Sequence, residues 1–179
     1  MSKYVIIRSM KNRKIAGYLL GLAGKPDGRI IVLTGARQTG KTTLARTLFP
    51  DFQFLSIEDP VLRGSYARLT ALQWKELYPN AILDEVQKEP RLIESIKSVY
   101  DQWAEPRYVL SGSSQFVLLE KVRESLAGRC TIVDLYPLTI PELETEGWEE
   151  AVNDTPFQSA VLHPQELSRQ LRSLYPNFL

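Results

Sequence analysis

"IIVLTGARQTGKTT", residues 30–43, decides the fold. Its first part is a short, continuous apolar run rich in β-branched side chains, the pattern of a strand buried on both faces of a parallel sheet. Then comes Gly35-x-x-x-x-Gly40-Lys41-Thr42, and "LARTLFP" after it sets Leu44, Ala45 and Leu48 at helical spacing before Pro50. A strand, a glycine-bearing loop and a helix start, in that order, make a concave nest of inward-facing backbone N–H groups. Gly35 and Gly40 allow backbone angles that a β-carbon would forbid.

The same rhythm extends in both directions. Upstream, "MKNRKIAGYLLGLAG" (10–24) predicts a helix carrying Ile15, Leu19 and Leu22, broken by the Gly24–Gly28 stretch. Downstream, "FQFLSI" predicts a second strand. "DPVLRGSYARLTALQWKELYP" predicts one helix with Asp59 as N-cap and Pro60 in its first turn, ending near Pro79. "AILDE" is a third strand, followed by a helix with Leu92, Ile96, Val99 and Trp103 on one stripe. "RYVLSG" is a fourth strand, "SQFVLLEKVRESLAG" a helix closed by Gly128, and "TIVDLYP" a fifth strand. This alternation predicts an α/β three-layer sandwich around a mainly parallel five-stranded sheet. We expect this domain to span residues 1–147. Residues 148–179 are expected to form a tail with one last helix carrying Leu167, Leu171 and Leu174.

Composition bounds the function. A chain of 179 residues, 44% hydrophobic with a formal charge of +1, suits one globular domain with a substantial core. The near-neutral balance gives no basic footprint for nucleic acid or an anionic membrane. Cys130 is the single cysteine, so no disulfide framework forms within one chain, which fits a reducing cytoplasm. No stretch has the uncharged apolar length of a membrane span.

Residues 35–42 match the P-loop pattern G-x-x-x-x-G-K-[ST] without a mismatch. The candidate nucleotide-binding residues are Gly35, Ala36, Arg37, Gln38, Thr39, Gly40, Lys41, Thr42 and Thr43. Lys41 would reach the β- and γ-phosphates, Thr42 would offer a hydroxyl to Mg²⁺, and Thr43 would face the α-phosphate. Asp84 and Glu85 end the third strand at the sheet edge where α/β folds place ligands. Asp84 is the second candidate metal residue, and Glu85 is the candidate base for a water attacking the γ-phosphate. An acid pair after a strand is also a common way to start a helix.

Ser111 and Ser113, with Ser114 and Gln115 behind them, end the fourth strand. That position carries a phosphate or water sensor in P-loop ATPases with an extra strand between the Walker strands, and serine-rich strand ends are also ordinary turns. Arg129 follows the next helix, where a cation complements the helix dipole or serves as an arginine finger. His163 reads as a loop residue, Trp74, Trp103 and Trp148 as packing residues, and Cys130 as a small buried hydrophobe.

Taken together, "LTGARQTGKTTL", "AILDEVQKEP", "YVLSGSSQ", "ESLAGR" and "LYPLTIPEL" resemble the N-terminal ATPase domain of an AAA-type family in which a conserved domain of unknown function usually follows. The resemblance runs from about Ile30 to Leu143. It implies an AAA-like P-loop core, ATP and Mg²⁺ as ligands, and Arg129 in the place such ATPases use for a finger acting in trans within a homo-oligomer. The tail after Gly147 does not resemble the start of that second domain. A small-molecule kinase would need an acceptor site and an arginine-rich lid, and a GTPase an [NT]-K-x-D motif; none of these is found. The remaining alternative is a nucleotide-gated module that controls a protein or DNA partner without significant turnover.

Overall fold

The computed structural model describes residues 10–113 and 116–155, together with 158, 161–165, 168 and 169. The expected helix at 164–176 lies mostly, and the residues Ser114 and Gln115 wholly, outside the described residues. The chain divides into two compact units, Ile15–Pro137 and a second made of Met1–Lys14 with Leu138–Leu179. No described helix is long and apolar enough to cross a membrane.

The first unit begins with α1 (Ile15–Ala23) and a 3₁₀ turn at Pro26–Gly28, then β1 (Ile30–Thr34) and α2 (Lys41–Leu48). β2 (Gln53–Ser56), α3 (Pro60–Tyr66), α4 (Ala71–Leu77) and β3 (Asn80–Asp84) follow. After a 3₁₀ turn at Val86–Lys88 come α5 (Arg91–Gln102), β4 (Arg107–Ser111), α6 (Phe116–Ser125) and β5 (Thr131–Asp134). All neighbouring strands pair in parallel, in the order β2-β3-β4-β1-β5. β1 is buried along its whole length, as its unbroken apolar run requires of a central parallel strand.

Side-chain alternation splits the core into two layers. Ile30, Val32, Ala81, Leu83, Tyr108 and Leu110 cluster with Trp74, with Leu92, Ile93, Ile96 and Val99 of α5, and with Val122 of α6. The alternate residues Ile31, Leu33, Ile82 and Val109 are equally buried, as are Leu19 of α1 and Leu44, Ala45 and Leu48 of α2. The three-layer α/β expectation holds.

The expected single helix over 59–79 is instead two. Asp59 caps the first, accepting from the N–H groups of Val61 and Leu62 at 2.8 and 3.3 Å. The second has its own start signal, Thr70-x-x-Gln73. Gln73 N–H donates to Thr70 Oγ1 at 3.3 Å, and Thr70 N–H donates to Gln73 Oε1 at 2.9 Å. This reciprocal capping box satisfies helix-start donors that a continuous helix would bond internally. The bend lets Tyr66, Trp74 and Tyr78 meet, with ring centroids 5.4 to 6.2 Å apart. Trp103 also departs from expectation: it is the residue after α5, in extended conformation, under the ammonium of Lys75.

In the second unit, α7 (Ile140–Glu144) starts at another capping box, Thr139 with Glu142. Glu142 is buried, and its carboxylate accepts from Thr139 N–H at 2.8 Å, Lys14 N–H at 2.9 Å and Arg13 Nε at 3.3 Å. Burial alone would raise its pKa; the backbone donors and the Arg13 guanidinium outweigh that and hold it below the ordinary carboxylate value. A depressed pKa stabilises the folded form above the unfolded value of about 4.3 and ceases to do so as pH falls through the folded value. Glu142→Gln should therefore speed hydrogen exchange at the Lys14 and Thr139 amides about tenfold near neutrality. Parent and variant should converge toward pH 3; an equal gap at both pH values would contradict the charge argument.

Candidate functional site

β1 has β4 on one side and β5 on the other, which makes it the point where the strand order reverses. Open α/β sheets form a ligand crevice beyond the carboxyl ends of the strands at that point. The 35–40 loop leaves the sheet there. Gly35 has φ +141°, and a β-carbon on it would lie 2.2 Å from the carbonyl oxygen of Leu135, so no other residue fits without moving the backbone. Gln38 (φ 64°) and Gly40 (φ 89°) make the remaining reversals, and Gly40 is the N-cap of α2. Thr39 Oγ1 donates to the Ala36 carbonyl at 3.0 Å, bracing the loop. Ala36, Arg37, Gln38 and Gly40 are exposed along the loop, and Thr43 is exposed on the first turn of α2.

Lys41 folds back under the loop, donating from Nζ to the carbonyls of Gly35 and Ala36 at 3.0 and 2.7 Å. It is only 7% exposed. Desolvation lowers its pKa, opposed by the nearby carboxylates of Glu85 and Asp84. Those two acids are therefore within electrostatic reach of the loop lysine, though they lie more than forty residues away along the chain.

Thr42 Oγ1 donates to the Asp84 carboxylate, 2.9 Å from Oδ1 and 3.0 Å from Oδ2. Register places Asp84 beside Ser111 on β4, and the buried Ser111 hydroxyl donates to Asp84 Oδ1. Among the described residues no three His, Cys, Asp or Glu side chains gather as a ready-made metal cage. A hydroxyl and one carboxylate, all oxygen, instead fit Mg²⁺, which takes one or two carboxylates and completes its shell with water and phosphate oxygens.

Glu85 is one of two non-glycine residues with positive φ among those described, at φ 59°, ψ 39°. Such a conformation costs about 1–3 kcal/mol and persists where the surroundings enforce it. The strand ends at Asp84, and this left-handed residue turns the chain so that Glu85 projects differently from its neighbour. Its carboxylate accepts from Nε2 of Gln87, a residue that sequence reasoning passed over within "DEVQK". Thr34, the last residue of β1, was passed over too. Its hydroxyl and that of Ser113 are buried with no partner among the described residues. A polar residue closing an otherwise apolar strand was the available signal for Thr34.

Arg129 lies elsewhere. It precedes β5, whose first residue pairs with Ile31 near the start of β1, so Arg129 sits at the sheet edge opposite the loop. The two edges are about 13–17 Å apart, the length of four or five strand residues. Arg129 bonds Asp101 through Nε at 2.7 Å and Nη2 at 3.3 Å, and this carboxylate raises its pKa. Cys130 behaves as a half-buried hydrophobe, its thiol pushed up to about 11 by burial.

No protein of curated function matches this chain in sequence. The crystal structure of the DnaC helicase loader is similar at 12% identity, covering 75% of this chain and 100% of that one, with a TM-score of 0.49. The structure of C. elegans PCH-2 is similar at 18% identity, covering 70% of this chain and 42% of that one, with a TM-score of 0.45. The family model described as "AAA domain" matches residues 27–144, a span holding β1, the glycine loop, both acids, Ser111 and Arg129. The chain thus belongs to the AAA domain family and carries a nucleotide-binding domain of the ATPase type.

Proposed function

We propose that this chain binds ATP with Mg²⁺ and hydrolyses it to ADP and phosphate, using turnover to drive a conformational signal. The observation that carries the reading is the Thr42–Asp84 contact at the start of α2, which joins a hydroxyl to a carboxylate within electrostatic reach of the buried Lys41 ammonium under the glycine loop. Backbone N–H groups of Gly35 to Thr43 hold the β-phosphate, and Lys41 exchanges its carbonyl partners for β- and γ-phosphate oxygens. Thr42 and Asp84 would hold Mg²⁺, which when bound neutralises charge on the β- and γ-oxygens. Glu85 accepts a proton as a water oxygen bonds to the γ-phosphorus and the bond to the ADP oxygen breaks. Ser111 keeps the Asp84 carboxylate oriented through its hydrogen bond, and Ser113 offers a hydroxyl from the adjoining strand end. Arg129 serves the site of a neighbouring copy, because its own site lies at the other edge of the sheet.

That placement also favours the second reading, a nucleotide-gated module controlling a protein or DNA partner, since Arg129 does not stand at its own chain's loop. Phosphate release from Mg-ATP at rising protein concentration separates the two. Hydrolysis with a trans arginine predicts a rate per chain that climbs with concentration. Bound ADP with no phosphate release at any concentration would reject hydrolysis and favour gating.

A further inference from the structure

Resting on the assignment of Glu85 as base, we propose that Gln87 is a positioning residue that holds the Glu85 carboxylate in its working orientation. A glutamate has three side-chain torsions, and Glu85 lies beyond the end of β3, where pairing in the sheet does not fix them. Gln87 follows within the same 3₁₀ turn, Val86–Lys88, where Val86 is fully buried and anchors the turn in the core. From that fixed point the Gln87 amide donates through Nε2 to Oε2 of Glu85, which leaves Oε1 as the carboxylate oxygen turned to other partners. The direction of the amide is set by chemistry, because the opposite flip would press its carbonyl oxygen against a carboxylate.

The second observation is the other end of the same amide. Gln87 Oε1 is buried and has no partner among the described residues. An unpaired buried acceptor is costly, so the amide keeps this placement because packing and its bond to Glu85 hold it there. Gln87 therefore acts through Glu85, and not on the nucleotide.

The test is a kinetic cycle with Gln87→Leu, Glu85→Gln and the double variant under saturating Mg-ATP. Gln87→Leu should lower kcat about tenfold, the rate equivalent of one lost charge-assisted hydrogen bond, with KM and calorimetric nucleotide affinity unchanged. In the Glu85→Gln background the same substitution should do nothing more. A Gln87→Leu chain with parental kcat, or an equal further loss in the double variant, overturns the assignment while leaving Glu85 as base. A Glu85→Gln chain with parental kcat overturns the base reading itself and Gln87's role with it. A readout independent of turnover is the Gln87 side-chain amide resonance, which should shift on Glu85→Gln in the nucleotide-free protein. An unmoved resonance would overturn the contact whatever the rates.

Discussion

Glu85→Gln is expected to cut Mg-ATP turnover by about a hundredfold to ten-thousandfold, the range for loss of a positioned proton acceptor, while nucleotide affinity stays within about twofold. The split follows from placement. Lys41 bonds the loop carbonyls and Thr42 bonds Asp84, whereas Glu85, beyond the end of β3 and left-handed in its backbone, bonds Gln87. The substitution keeps the length and shape of the side chain and removes its charge and its ability to take a proton. Single-turnover phosphate release and calorimetry on the same preparation measure the two halves. Parental turnover would reject Glu85 as the base; lost affinity would place it among the phosphate or Mg²⁺ contacts.

Arg129→Ala is expected to lower turnover about a thousandfold, the lower range for an arginine finger, without weakening nucleotide binding to the chain that carries it. The substitution leaves Asp101 without its partner, but both side chains are partly exposed and a pair of this kind contributes little to stability. The trans geometry makes a sharper demand. Arg129→Ala chains have an intact loop and no finger, and Lys41→Ala chains have a finger and a crippled loop, so mixing the two inactive variants should restore activity. Mixtures as inactive as their components would remove Arg129 from catalysis and return it to its pairing with Asp101 and the end of α6.

Most of the architecture was legible because it follows from local patterns. The unbroken apolar run at 30–34 demanded a strand covered on both faces, and Gly35 to Thr42 demanded the loop that follows it. Asp59-Pro60 announced a helix start, and so did Thr70-x-x-Gln73. The second signal was missed because the apolar spacing on either side is continuous enough to read through it. Trp103 fitted the α5 stripe by period, yet the helix ends one residue earlier, a boundary that periodicity does not mark. The candidate site was legible where motif spacing carries chemistry, in that Lys41, Thr42, Asp84 and Glu85, far apart in sequence, come within reach of one another. What periodicity does not carry is strand order. Only the pairing of β4 beside both β1 and β3 brings Ser111 onto Asp84, and only the parallel pairing of β5 with β1 sends Arg129 to the far edge. Gln87 was illegible for a related reason: its bond to Glu85 and its buried amide oxygen appear only once the surroundings are packed.

The central claim is that the loop at 35–43 and Lys41 grip a triphosphate. Calorimetric titration of a nonhydrolysable ATP analogue with Mg²⁺ tests it without depending on turnover, assembly or a partner. The account predicts one saturable site per chain, weakened about tenfold or more by Lys41→Ala through the loss of a charged donor. No binding heat at millimolar analogue, or affinity unchanged in the Lys41 variant, would contradict it.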